Sequence, residues 1–131
     1  MTRHFAVVGS GSIGIGWAIV FARAGNRVKV YDLEKSRLDI FTQGVNERLH
    51  VLQEEGLLNE GADTVASRIS TSLDLAESLE GAEYIQECVP EQLEIKKNLF
   101  ATLEALAGDS AIIASSSSAL KISSFTSDLS T

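Results

Sequence analysis

Phe5-Ala6-Val7-Val8-Gly9-Ser10-Gly11-Ser12-Ile13-Gly14 holds two signals: an apolar run that stops at a glycine, and glycines spaced Gly-x-Gly-x-x-Gly. The run Phe5 to Val8 suits a short strand buried on both faces of a parallel sheet. From Ile13 to Ala24 the chain is apolar, lacks proline and stops at Gly25-Asn26, the pattern of a helix with a glycine C-terminal stop. Arg27-Val28-Lys29-Val30-Tyr31 then alternates at period two and runs into Asp32. Strand, tight turn, helix and strand within about 30 residues have the size of a βαβ unit.

Each glycine meets a different physical demand. Gly9 permits the sharp turn, Gly11 lets a pyrophosphate approach the backbone with no Cβ in the way, and Gly14 lets the helix pack closely on the sheet. Ala18, one turn later, keeps that contact face small. The N–H groups near Ser12 and Ile13 then lie at the positive end of the helix dipole, where they suit phosphate. A lone glycine pattern is a weak signal, but here it follows a strand, opens a helix, and is answered by Asp32, 18 positions after Gly14. A carboxylate there suits ribose hydroxyls and repels a 2′-phosphate, so the expected cofactor is NAD rather than NADP. Lys35 and Arg37 stand close enough to soften that preference.

Outward from this unit the alternation continues. Leu38, Phe41, Val45, Leu49 and Leu52 recur at spacings of three and four, predicting an amphipathic helix over 35–54 that Gly56 closes. Residues 57–67 read as a loop with a short helix, 68–71 as a short strand and 73–79 as one or two helical turns. Residues 83–89 predict another strand, with Pro90, the only proline, set where a helix should begin. Leu93, Leu99, Phe100, Leu103 and Leu106 mark that helix, stopped at Gly108. Residues 110–115 give a further buried strand, and a short helix follows Ser123. Strands alternating with helices imply an α/β fold of Rossmann type, a doubly wound and mainly parallel sheet.

Length and composition set limits. A chain of 131 residues with 44% hydrophobic residues fits one domain with a single core. Eleven basic against 18 acidic residues give a net charge of −7, a field that disfavours nucleic acid and anionic membranes. Backbone donors at a helix end can still hold an anionic cofactor against that field. With no signal-peptide pattern and no long apolar stretch, the expectation is a soluble, cytoplasmic protein. Cys88 is the only cysteine, so no disulfide framework or cysteine metal site is expected, and it reads as a small buried apolar residue.

In open α/β sheets ligands bind beyond the carboxyl ends of the strands, which brings forward Glu87, Glu91, Lys96 and Ser115 to Ser118. On residue type alone, Glu91 reads as a first-turn acid at a helix N-terminus and Lys96 as a solvated helix charge. The serines serve equally as turn and cap residues.

Gly9 to Gly14, Asp32, Gln86-Glu87-Cys88-Val89-Pro90-Glu91 with Lys96, and Ala114 to Leu120 together resemble the amino-terminal domain of 3-hydroxyacyl-CoA dehydrogenases. Tyr31-Asp32-Leu33-Glu34 and the serine cluster are most similar to the lambda-crystallin and L-gulonate 3-dehydrogenase branch. The resemblance implies that Glu91, Lys96 and Ser116 contact the cofactor, the first two near its nicotinamide half, and that Ser118 hydrogen-bonds the substrate hydroxyl or carbonyl. Acyl-CoA enzymes typically carry Asn where this chain has Ser116, which argues against a CoA thioester and for a free hydroxy acid such as a sugar acid. The family's general base, a histidine in a His-Pro-type segment after the serine cluster, has no counterpart before Thr131. His4 and His50 match neither that position nor its partner's and read as surface residues. The expectation is therefore an NAD-binding domain over 1–131, cut before its last strands and the helical domain that usually forms the dimer. Alone it should bind cofactor without appreciable turnover, and its unpaired strand edges should favour self-association. The alternatives are a 3-hydroxyacyl-CoA or carnitine dehydrogenase, or a non-catalytic, crystallin-like NAD-binding protein.

Overall fold

The computed structural model describes residues 3–88, 93–106 and 111–115. In chain order the elements are β1 (His4–Val8), α1 (Ser12–Arg23), β2 (Arg27–Tyr31), α2 (Lys35–Glu54), α3 (Ala62–Ala66), β3 (Ile69–Ser72), α4 (Leu75–Leu79), β4 (Tyr84–Glu87), α5 (Leu93–Leu106) and β5 (Ile112–Ser115). The five strands form one sheet in the order β3-β2-β1-β4-β5. Every pairing is parallel, with Val8 opposite both Tyr31 and Glu87. This is the doubly wound architecture that the alternation predicts.

The sheet is covered on both faces. On one, α1, α2 and α3 pack Ile15, Ala18, Leu38, Phe41, Leu49 and Val65 against Val7, Val28 and Val30. On the other, α4 and α5 bring Leu79 and Leu103 onto Ala6, Val8 and Ile85. Phe41 and Leu49 are at most 1% exposed, and burying a side chain of that size stabilises by about 1.5–3 kcal/mol. At the start of β1 an aromatic group ties strand to helix. Phe5 meets Phe21 edge-on at 4.9 Å, and Tyr84 of β4 lies 5.5 Å from both rings.

Local chemistry sets the helix ends. Gly25 and Gly56 have φ of 95° and 71°, conformations that favour glycine. Each closes its helix with a Schellman pair, Gly25 N–H to Ala22 O with Asn26 N–H to Phe21 O, and Gly56 N–H to Gln53 O with Leu57 N–H to Leu52 O. The stops read at Gly25 and Gly56 are thus real caps. The amphipathic helix matches its predicted 35–54 span, buried on Leu38, Phe41, Val45 and Leu49.

Boundaries elsewhere are tighter than expected or shifted by a residue. β4 ends at Glu87 rather than residue 89, β3 covers 69–72 rather than 68–71, and β5 begins at Ile112 rather than residue 110. Cys88 is half-buried, not buried, and packs at the margin of the core under α1. His4 and His50 are exposed, as read. The Pro90 helix start, the Gly108 stop and the short helix after Ser123 lie outside the described residues. Among the described residues no helix is long and apolar enough to cross a membrane.

Candidate functional site

The turn between β1 and α1 is built as the three glycines require. Gly9 sits at φ 107°, a conformation that L side chains rarely adopt. Its N–H donates to Tyr31 O at 2.8 Å, continuing the β1–β2 ladder to the edge of the turn. A Cβ on Gly14 would stand 2.3 Å from the Gly9 carbonyl oxygen and 3.5 Å from Val7. Only hydrogen fits there. A Cβ on Gly11 would meet nothing within 4 Å, so this glycine borders open space.

Gly11 is also the N-cap of α1, with no side chain to offer, and no acidic residue stands in the first helical turn. A helix start carries N–H groups that lack intrahelical acceptors. Here, at Ser12, Ile13 and Gly14, no capping side chain of Gly11 and no first-turn acid supplies one. The open side of Gly11 and these donors together fit an anion the size of a pyrophosphate.

Asp32, just past β2, is 7% exposed and faces the turn. Its Oδ2 accepts from the Ser10 backbone N–H at 3.1 Å and from the Ser10 hydroxyl at 2.7 Å. Its Oδ1 accepts from Leu33 N–H at 2.7 Å and Glu34 N–H at 3.4 Å. All four donors are neutral. The carboxylate is thereby held against the glycine turn by neutral donors, and among the described residues it forms no salt bridge. Burial, with Asp32 and Asp74 adding negative charge, pushes the neighbouring Tyr31 phenol above its ordinary 10.0.

The two cations flagged near Asp32 are turned to acids of their own segment. Lys35 Nζ lies 3.2 Å from Asp39 Oδ2, and Arg37 Nε lies 3.8 Å from Glu34 Oε2. Neither pairs with Asp32.

Gly9, Gly11, Ser12, Ile13, Gly14 and Asp32 thus come together at the carboxyl end of β1 and β2. Glu87, at the same end of β4, is fully buried opposite Val8 and Ser115 in the strand register. Lys96 lies within α5. Glu91, Ser116 and Ser118 lie outside the described residues. Sequence reasoning missed Ser10. The available signal was a hydroxyl residue between the first two glycines, in a motif whose answering acid ends the next strand. Among the described residues no group of three or more His, Cys, Asp or Glu is placed to hold a metal ion.

Comparison with known proteins bears on this arrangement. A family model described as the NAD-binding domain of 3-hydroxyacyl-CoA dehydrogenase matches residues 4–131. A lambda-crystallin homolog of Bos taurus is 46% identical over 117 residues, covering 88% of this chain and 36% of that protein. An L-carnitine dehydrogenase/betainyl-CoA thioesterase of Agrobacterium fabrum is 37% identical over 116 residues, covering 88% of this chain and 23% of that protein. The structure of a 3-hydroxybutyryl-CoA dehydrogenase from Escherichia coli superposes with a TM-score of 0.91 at 29% identity, covering 98% of this chain and 27% of the other. The chain therefore spans little more than a third of the length of its lambda-crystallin relatives.

Proposed function

The chain belongs to the NAD-binding domains of the 3-hydroxyacyl-CoA dehydrogenase family, and from that premise we propose that it is the cofactor-holding part of an enzyme oxidising an L-gulonate-like 3-hydroxy acid to the 3-keto acid. The observation that carries the reading is Asp32, buried beside the glycine turn and held there by neutral donors. In this reading Gly9, Gly11 and Gly14 shape the turn, the Ser12 and Ile13 N–H groups hold the pyrophosphate, and Asp32 holds the adenosine ribose hydroxyls. Bound NAD supplies the hydride acceptor. Glu91, Lys96 and Ser116 complete the cofactor site and Ser118 hydrogen-bonds the substrate, on the strength of the family resemblance.

Calorimetry tests the cofactor half directly. NAD should bind and NADP should bind much more weakly; equal affinity would overturn the ribose reading. The substrate half needs the intact enzyme. Turnover of free 3-hydroxy acids supports the proposal, and turnover of CoA thioesters alone would replace it. The name of the Agrobacterium relative supports a second reading, carnitine as the substrate, which the same assay separates. An intact protein that binds NAD and turns over none of these would have a crystallin-like binding role.

A further inference from the structure

Asp32 has no lone pair to spare. A carboxylate offers about four acceptor positions, and four donors already point at them: Ser10 N–H and Ser10 hydroxyl on Oδ2, Leu33 N–H and Glu34 N–H on Oδ1. Three of the four are backbone N–H groups, fixed by the turn and by the entry to α2. The fourth is a hydroxyl on a single rotatable bond. Oδ1 is the looser side, since its Glu34 contact is stretched to 3.4 Å. Oδ2 is the tighter side, because the hydroxyl closes on it at 2.7 Å.

A ribose presents two adjacent hydroxyls, and a pair of such donors bridging a carboxylate needs one position on each oxygen. On Oδ1 the weakly held position is open to exchange. On Oδ2 the only donor that can leave is the Ser10 hydroxyl. We propose that Ser10 is an affinity-setting residue of the cofactor site, its hydroxyl an internal substitute for a ribose hydroxyl that must turn away before the ribose diol can engage Asp32.

Two effects of Ser10 oppose one another, and the geometry decides between them. If the hydroxyl served mainly to orient Asp32, removing it would weaken binding. The Ser10, Leu33 and Glu34 N–H groups are untouched by loss of Oγ, however, so the carboxylate keeps its orientation and loses only its competitor. The proposal rests on the reading of Asp32 as the ribose acceptor. Its distinguishing mark is an increase in affinity from removing a contact.

The test is titration calorimetry on the chain with ADP-ribose and with its 2′-deoxyadenosine analogue. Ser10→Ala should tighten ADP-ribose binding by about fivefold, the worth of one exchanged hydrogen bond of modest strength. It should leave the 2′-deoxy ligand unchanged, because the single remaining hydroxyl takes the loose Oδ1 side. Ser10→Gly, which also lacks the hydroxyl but keeps the N–H, should give the same tightening and guards against a folding defect peculiar to one variant. Equal weakening for both ligands would make Ser10 an orienting residue and overturn the proposal. Unchanged ADP-ribose affinity would overturn it too. Asp32→Ala separates the two layers of argument: if it leaves ADP-ribose binding intact, the ribose reading has failed; if it abolishes binding while Ser10→Ala changes nothing, only the exchange has.

Discussion

Asp32 and Glu60 are both carboxylates tied down by several hydrogen bonds, but they sit at opposite ends of the parallel sheet and keep different company. Asp32, past the end of β2, is held by N–H groups and a hydroxyl. Glu60, near the start of β3, is clasped by both terminal nitrogens of Arg68, one of which also donates to Ala22 O at 2.9 Å. That second arrangement pins the end of α1 to the segment ahead of β3. Hydrogen bonds from Arg68 hold Glu60 below its ordinary 4.5, with the guanidinium charge adding and burial opposing. A guanidinium fork is hard to displace, whereas neutral donors can be exchanged for others of the same kind. One end of the sheet is locked, and the other is left able to trade partners.

The largest effect should come from breaking the turn that carries two of Asp32's four donors. Gly14→Ala drives a Cβ into the Gly9 carbonyl, a backbone atom that cannot swing aside. A cost of about 1–3 kcal/mol in unfolding free energy is expected, with NAD affinity reduced at least about tenfold, since 1.4 kcal/mol of misplacement suffices. Denaturant melts and calorimetry would measure both. Full-strength NAD binding by a folded Gly14→Ala would mean that the close approach is dispensable.

Asp32→Ala comes next. It strands the buried Ser10 N–H and hydroxyl without their acceptor, at about 1–3 kcal/mol. It should also narrow the gap between NAD and NADP affinities, which a fluorescence titration of the two reduced cofactors would show. A wide gap that survives the substitution would move the source of discrimination elsewhere.

The smallest effect belongs to the locked end. Glu60→Gln should lower Tm by a few degrees at most and leave NAD affinity untouched, as for other solvent-accessible pairs. Because Glu60 is depressed in the fold, the pair contributes above pH 4.5 and its contribution is lost as pH falls through the folded value. The parent should therefore lose more Tm than Glu60→Gln across that window. An altered cofactor affinity in Glu60→Gln would erase the contrast between the two ends.

What the sequence discloses depends on how local each interaction is. The α2 span, both glycine caps and the turn itself follow from spacing and backbone conformation within a few residues. The elements between 57 and 79 are five residues or fewer, too short for periodicity to settle their edges. Contacts across the chain stay hidden altogether. Ser10 and Asp32 meet over a separation of 22 residues, Arg68 reaches Ala22 over 46, and Gly44 is the place where α2 admits the Ile15 side chain. Asp32 was visible as an acid at a strand end. That its acceptors are already filled is a tertiary fact. The roles given to Glu91, Ser116 and Ser118 rest on family resemblance, because they fall outside the described residues.

The strand order also has an architectural consequence. The chain winds outward from β1 to β2 and β3 over one face, then crosses back over the other face through α4 to β4 and β5. A doubly wound sheet whose winding reverses between neighbouring strands, here β1 and β4, leaves a crevice beyond the carboxyl ends of those strands. No side chain is spent on making that opening. The fold inherits it from its winding order, so the vocabulary of ligand choice can be small: a glycine without a Cβ, one acid at a strand end and one hydroxyl beside it. Substitutions at those few letters can revise what the cleft accepts while the scaffold around it stays the same.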